Sequence, residues 1–333
     1  MAILFVIGIN DQSTIRASIN ANNHISHMYD GNCSIQQQLD LKEESAAFAV
    51  LFGKSVIQQG FDFRKKPSLI VNQIANADTH RGALERCAEL CAQVDAPVIN
   101  RPESVLGTTR ERVSALLQGI PGVTMPKTVR FNPGSPDEVF RRAASENFAF
   151  PFMVRMAGDH GGTSTLRVNN RGDYPALHVY PFDGRDFYLT EFVDCRDDSG
   201  MYHRQRLILI DGEPVLRGSL YDENWMVHGA SRRFMMQRES WEQDRVRSKT
   251  LETEVIPQLK PALAEITNRL QLDIYGIDCS LSPAGEMLIF EANPSMDFLT
   301  NEHPQMNARM EMIKGRILAM LERHSGEKLR HNA

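Results

Sequence analysis

The chain has 333 residues, 42% hydrophobic and 24% charged, with a net charge of −5; this is ordinary globular composition, long enough for one large domain or two to three smaller ones. It has no basic run that would point to nucleic acid and no apolar run approaching the ~18 residues of a membrane span. The opening MAILFVIGIN lacks the basic start and cleavage signature of a secretory signal, so the expected location is the cytoplasm.

In chain order, ILFVIGI (3–9) is a continuous apolar run, the mark of a strand buried on both faces. Similar runs recur at PSLIVNQIA (67–75) and APVINRP (96–102). The stretches between them, 34–60 and 79–94, read as helices. Alternating strand and helix predicts a parallel α/β domain over about residues 1–105. SVLGTTRERVSALLQGI (104–120) predicts a helix ended by Pro-Gly, and PDEVFRRAASEN (136–147) another. FAFPFMVRMAGDHGGTSTLRV (148–168) reads as strand, glycine-rich loop and strand, and DFYLTEFVD (186–194) as a further strand. YHRQRLILIDGEPVLRGSL (202–220) is a hairpin with Asp-Gly at its turn. A long helix over 249–271 precedes a second hairpin at 275–296, and 307–326 is an amphipathic helix whose methionines suit core packing. The fold class is α/β, turning to α+β in the C-terminal part.

The five cysteines, Cys33, Cys87, Cys91, Cys195 and Cys279, show no C-x-x-C spacing and are expected as free thiols. Cys87 and Cys91, one helical turn apart, fit a shared core face better than a metal pair. Gly53–Ser55 resembles the end of a P-loop, but Phe48 stands where that motif needs its first glycine. The sequon at Asn32–Ser34 has meaning only in a secreted chain.

The hairpin YGIDCSLSPAGEMLIFEANPSM (275–296) carries three oxygen-bearing side chains in apolar strands. A two-residue turn at Ala284 and Gly285 would set Asp278 opposite Glu291, with Asn293 on the same face; a bulged turn would shift this by one residue. Two facing carboxylates repel, and a cation between them removes the repulsion. An all-oxygen set suits Mg²⁺, with Mn²⁺ the alternative. A solvated hairpin end would carry the same residues, so the hairpin alone leaves both readings open.

GID followed by FEANPS resembles the metal motif of the ATP-grasp superfamily, the group that includes D-alanine–D-alanine ligase, glutathione synthetase and the ribosomal-protein glutamate ligases. The order of elements is also similar. The resemblance covers roughly residues 95–325, and residues 1–105 by architecture only. VINRPESVLGTTR (98–110) and NWMVH (224–228) are most like ATP-grasp proteins sometimes fused to tetratricopeptide repeats, although no repeat is visible here. The resemblance implies a pre-ATP-grasp domain at 1–105, a linker helix and clamp at 106–195, a C-terminal subdomain with the metal hairpin at 196–325, and a tail at 326–333.

It further implies ATP and magnesium as cofactors, with Asp278, Glu291 and Asn293 on the metal. Arg155 stands where relatives have a phosphate-binding lysine, and Arg110, with Arg112 as the other choice, replaces a second one. Arginine keeps the charge and can fork onto phosphate. The loop with Gly161, Gly162 and Thr163 would cover the phosphates, with His160 as a solvated neighbour. Glu191, Phe192 and Val193 would receive adenine. Asp198 or its neighbour Asp197 would hold the ribose, and Arg206, with Arg204 on its face, would neutralise an acyl phosphate. Trp225, His228, Arg232 and Arg233 would lie near the acceptor.

The activity implied is carboxylate–amine ligation through an acyl phosphate. The alternatives are a phosphotransferase and a non-catalytic nucleotide-binding protein. The substrates would be a small carboxylate and an amine: an amino acid, a small peptide or a natural-product intermediate. A homodimer is the expectation by family analogy.

Overall fold

The computed structural model describes residues 3–19, 23–33, 35–39, 41, 46–52, 66–238, 241–296 and 307–329. The first apolar run forms β1 (Ile3–Ile9), almost wholly buried. After β2 (Arg16–Ile19), β3 (Ile25–Met28) and one turn of helix, α1 (Ile35–Gln38), the chain forms β4 (Ala46–Phe52). The helix expected across 34–60 is therefore corrected: Ala46–Phe52 runs parallel to β1, from Ile3 opposite Ala46 to Ile9 opposite Phe52. Its alanines favour a helix, but the open edge of β1 offers a full ladder of backbone partners, and tertiary pairing overrides local propensity. Gly53–Ser55 lies outside the described residues.

β5 (Leu69–Asn72), α2 (Arg81–Gln93) and β6 (Val98–Ile99) complete a parallel sheet in the order β4–β1–β5–β6. Cys87 is buried on the inner side of α2 with Ala83, Leu84 and Leu90, and all five cysteines are free. Asn32 accepts from the Gly8 N–H and donates to the Gly8 carbonyl, fastening the end of β1.

The single helix expected over 104–120 is two, α3 (Pro102–Leu106) and α4 (Arg110–Leu116), because Gly107 ends one and Thr109, in extended backbone, begins the other. β7 (Val123–Thr124) and β8 (Thr128–Phe131) follow, then α5 (Pro136–Ser145), β9 (Phe152–Met156), β10 (Leu166–Val168), a 3-10 run at Arg171–Val179 and β11 (Phe187–Glu191). A small antiparallel sheet, β10–β9–β11–β8, packs against α5 through Phe140, Phe152 and Phe187.

β12 (Tyr202–Ile210) and β13 (Glu213–Asp222) turn at Asp211 and Gly212, both at positive φ as an Asp-Gly hairpin requires. Next come α6 (Ser231–Gln237), α7 (Trp241–Thr250), a π-helical turn at Leu251–Val255, α8 (Ile256–Gln258) and α9 (Lys260–Leu270). The one long helix expected over 249–271 is thus interrupted. Pro257 and Pro261 donate no N–H, and each sits in the first turn of a new segment.

β14 (Ile274–Leu281) and β15 (Met287–Asn293) form the second hairpin, and α10 (Asn307–Ser325) follows. The third sheet runs β13–β12–β14–β15–β7. Met310 and Met320 on α10 are buried beside Ile313 and Ile317, the core role expected of them, whereas Met312 falls on the outer face and is exposed. Among the described residues no helix is long and apolar enough to cross a membrane.

Candidate active site

Arg206, Asp278 and Glu291 form one row across the third sheet. Arg206 faces Asp278 between β12 and β14, and Asp278 faces Glu291 between β14 and β15. The Asp278–Glu291 pairing is the expected one, but two irregularities produce it. The turn takes three residues, 283–285, with the Ser282 N–H donating to the Glu286 carbonyl at 2.9 Å and Gly285 at φ +80°. That sets Leu281 opposite Met287 and Cys279 opposite Ile289; a bulge at Phe290 then restores Asp278 to Glu291.

Asp278 is 4% exposed. Nε and Nη2 of Arg206 donate to its two carboxylate oxygens at 2.7 and 2.8 Å, and Nη1 of Arg204 lies 3.5 Å away. Burial lowers the Arg204 pKa, and Asp278 partly restores it. Glu291 has its own partners. Its Oε1 lies 2.7 Å from Nη2 of Arg110 and 2.6 Å from Nδ1 of His160, and it accepts from Nδ2 of Asn293 at 2.5 Å. Burial pushes the Glu291 carboxyl up, but Arg110, His160 and Arg155 together outweigh it and hold the group well below the usual carboxylate range.

All of these except Arg206 line one cleft with Arg155, Gly161 and Gly162; Arg206, expected at the reacting group, reaches Asp278 from outside that cleft. Arg110, at the start of α4, donates Nη1 to the Phe290 carbonyl at 3.3 Å, whereas Arg112 turns to the Leu106 carbonyl at 2.9 Å. Of the two, Arg110 is the one that lines the cleft. Arg155 on β9 donates to the Asp159 carbonyl; burial, followed by the nearby Arg110, brings its pKa down to about 10. Nε of Arg155 and Nε2 of His160 are buried without a hydrogen-bond partner. A buried guanidinium N–H without an acceptor is costly, so Nε of Arg155 suits an anion entering the cleft.

The glycine-rich loop is ordered by Asp159, which accepts from the Gly161 N–H, the Ser164 N–H and the Ser164 hydroxyl at 2.9, 2.8 and 2.7 Å. At its start, Gly158 sits at φ +81°, donating to Asp78 and accepting from Asn76. His160 is corrected from a solvated loop residue to a direct partner of Glu291. Thr163, expected at the phosphates, is exposed with its hydroxyl 3.4 Å from Asp159; Thr165 is the threonine that lines the cleft.

At the other end, Glu191, Phe192 and Val193 line the cleft as expected. The Glu191 N–H already donates to the Lys127 carbonyl at 2.9 Å. Trp225 meets Phe192 edge-on at 5.9 Å, and the Arg167 guanidinium lies over both rings, 5.0 Å from Phe192 and 5.5 Å from Trp225. Trp225 and His228 line this cleft too, and Arg167 had no motif to mark it. Asp198 is exposed and is not among the lining residues. Asp197 bonds Nε2 of His203 at 2.6 Å, and it is His203 that lines the cleft.

Asp278, Glu291 and Asn293 fit magnesium by donor chemistry, being oxygen ligands gathered at one strand end. Arginine guanidinium groups and other protein donors occupy those oxygens here, so the carboxylates already hold positive charge. Among the described residues no group of three or more His, Cys, Asp and Glu side chains could hold a metal, so the set depends on the amide of Asn293 or on a ligand oxygen.

A parallel N-terminal sheet, an antiparallel clamp sheet with a glycine-rich turn, and a third sheet ending in the acidic hairpin make up the ATP-grasp fold. Solved structures of that fold match almost the whole chain. VanG D-Ala:D-Ser ligase from Enterococcus faecalis has a TM-score of 0.56 at 12% identity, over 96% of this chain and 98% of that one. D-alanine–D-alanine ligase from Bacillus anthracis, complexed with ATP, has 0.53 at 10%, over 98% and 97%. The RimK domain ATP-grasp protein from Sphaerobacter thermophilus DSM 20745 has 0.51 at 13%, over 95% and 98%. At these identities the likeness is one of fold. No protein-family model and no curated protein matches the sequence.

Proposed function

We propose that the protein is an ATP-dependent carboxylate–amine ligase. The observation that carries this reading is the convergence in one cleft of Arg110, Arg155 and Arg204 with Asp278, Glu291 and Asn293, facing an aromatic wall of Phe192 and Trp225. Cations at one end and rings at the other match the two ends of a nucleoside triphosphate.

In this reading the base lies against Phe192, beside the backbone of Glu191 and Val193. Arg110 and Arg155 bind the phosphates, and the loop bearing Gly161 and Gly162 closes over them and excludes water. Asp278, Glu291 and Asn293 would hold magnesium, which supplies positive charge to the phosphates when bound. A substrate carboxylate oxygen attacks the γ-phosphorus, forming an acyl phosphate and releasing ADP. An amine nitrogen then attacks the carbonyl carbon. The C–N bond forms, the C–O bond to phosphate breaks, the nitrogen gives up a proton, and phosphate leaves. Arg206, helped by Arg204, offsets the negative charge at the acyl phosphate and the developing oxyanion.

The test is phosphate release from Mg-ATP with pooled amino acids and dipeptides, with and without hydroxylamine. Substrate-dependent release together with a hydroxamate is the expected result. ADP formation without phosphate release or a hydroxamate, alongside a stable phosphorylated product, would replace the ligase reading with phosphotransfer.

A further inference from the structure

The glycine-rich loop between β9 and β10 is tied to all three sheets. On the clamp side, the Asp159 carboxylate gathers the Gly161 and Ser164 N–H groups and the Ser164 hydroxyl, and that hydroxyl oxygen accepts from the Met156 N–H at 3.1 Å. At the start of the loop, Asn76 and Asp78 of the N-terminal domain hold Gly158. Between these anchors His160 leaves the clamp and meets Glu291 on β15, 131 positions along the chain, at 2.6 Å. The tip of the loop therefore reaches the third sheet through one side chain.

Glu291 fixes the sense of that bond. Burial pushes its carboxyl up, but Arg110 and then His160 outweigh burial, so the group is ionised and only accepts. Nδ1 of His160 carries the proton and donates it to Oε1. The same oxygen lies 2.7 Å from Nη2 of Arg110 and accepts from Nδ2 of Asn293 at 2.5 Å. Three nitrogens thus crowd one oxygen. A magnesium ion takes its ligand oxygens at about 2.0–2.1 Å, and hydrogens aimed at the same lone pairs repel it. In the ligase reading Arg110 turns to phosphate and Asn293 to the metal. His160 is carried by the loop, so its departure from Glu291 is a movement of the loop.

We propose that His160 is a positioning residue that couples the glycine-rich loop to the metal site: its ring and a divalent cation take Oε1 of Glu291 in alternation, so that the loop is held against β15 or freed towards the phosphates according to which of them is there. The exchange with a cation rests on the ligase reading; the hold of His160 on the loop does not.

The experiment compares the full-length wild type with His160→Ala and His160→Asn at one fixed pH. Alanine removes the competitor, and asparagine keeps an N–H for Glu291. Mn²⁺ binding with ADP saturating is read from the spin resonance of the free ion. His160→Ala should bind Mn²⁺ about tenfold more tightly than wild type, and His160→Asn within about threefold of it. Proteinase K digestion without metal or nucleotide reads the loop itself: cleavage within residues 157–165 should be several-fold faster in His160→Ala, with His160→Asn close to wild type. Equal or weaker Mn²⁺ binding in His160→Ala overturns the exchange, and equal cleavage overturns the hold. Failure of the wild type to bind Mn²⁺ with ADP would overturn the metal site of the ligase reading, and the exchange with it; the cleavage ratio would still decide whether His160 holds the loop.

Discussion

Arg206 and Asp278 stand opposite each other on β12 and β14 and join through a forked ion pair of 2.7 and 2.8 Å. A residue that served only as a metal ligand could be replaced without cost to folding. Asp278 is buried and neutralises two arginines, so its loss strands charge inside the sheet. Removing one partner of a buried pair costs about 3–5 kcal/mol. Asp278→Asn, which keeps the shape, should lower unfolding free energy by part of that amount and abolish turnover. Arg206→Gln should act likewise, and the double variant should lose less than the sum of the two. Urea melts of the four proteins check this; additive losses would mean that the pair contributes nothing of its own.

Glu291 holds Arg110 and His160. When phosphate enters, the same carboxylate repels it unless a cation intervenes. In Glu291→Ala that repulsion is gone. Wild-type protein should bind ADP about tenfold or more tightly with magnesium than with EDTA. In the variant the ratio should fall towards one, with metal-free affinity rising and turnover lost. Calorimetry with and without EDTA reads this directly, and an undiminished reaction rate in Glu291→Ala would remove Glu291 from the site.

The legible part of this site is the part carried by short stretches of chain. Asp278 and Glu291 stood out because charged residues rarely interrupt apolar strands, whereas Arg206 is placed only by its match to the family's strand ahead of an Asp-Gly turn. Arg155 and Arg110 were found only through a family resemblance, since nothing local distinguishes them from surface arginines. The bond from His160 to Glu291 is not legible because its partner is 131 positions away, nor is the contact of Trp225 with Phe192, which joins the segments after β11 and β13. β4 was misread because alanine-rich sequence is ambiguous until the edge of β1 is available to it.

Gly158 joins the glycine-rich loop to the N-terminal sheet. Its N–H donates to Asp78, which also accepts from Arg130 at 2.9 Å and from the Tyr188 hydroxyl at 2.6 Å. At φ +81° a side chain is strained, and an added Cβ would lie 2.7 Å from Cγ2 of Thr79. Left-handed backbone alone costs about 1–2 kcal/mol in a residue with a Cβ. Gly158→Ala should therefore destabilise by at least that amount and displace the loop, lowering turnover as well as the melting temperature. A variant with wild-type melting and turnover would show that this junction does not set the loop's position.

Two histidines outside the phosphate region make stability depend on pH. Burial lowers the pKa of His80, with Asp11 and Asp30 opposing; burial and then Arg247 lower that of His203, with Asp197 opposing. As pH falls, the unfolded chain takes up these protons near the ordinary histidine value of about 6.5, before the folded chain does. Stability should thus be full above about pH 7, and it should decline as pH falls through the ordinary value and then through the two lowered ones. Melting temperatures between pH 8 and 5 should show the fall. His80→Asn places a favoured capping residue at the start of α2 and should flatten the slope; an unchanged slope would clear His80.

Arg155→Lys separates charge from geometry. Lysine offers one compact ammonium in place of a fork, so phosphate binding should survive while turnover falls by about tenfold or more. The environment adds a sharper readout. Burial and Arg110 already bring arginine down to about 10 at this position. A lysine begins at about 10.4, and the same two causes push it towards neutrality within the working range. The variant should therefore lose activity as pH rises from 7 to 9, a range over which wild-type Arg155 stays charged. A pH–rate profile with parallel limbs for the two proteins would mean that the position tolerates any cation and that Arg155 does not face the phosphates. Loss at every pH would mean that the fork itself is required.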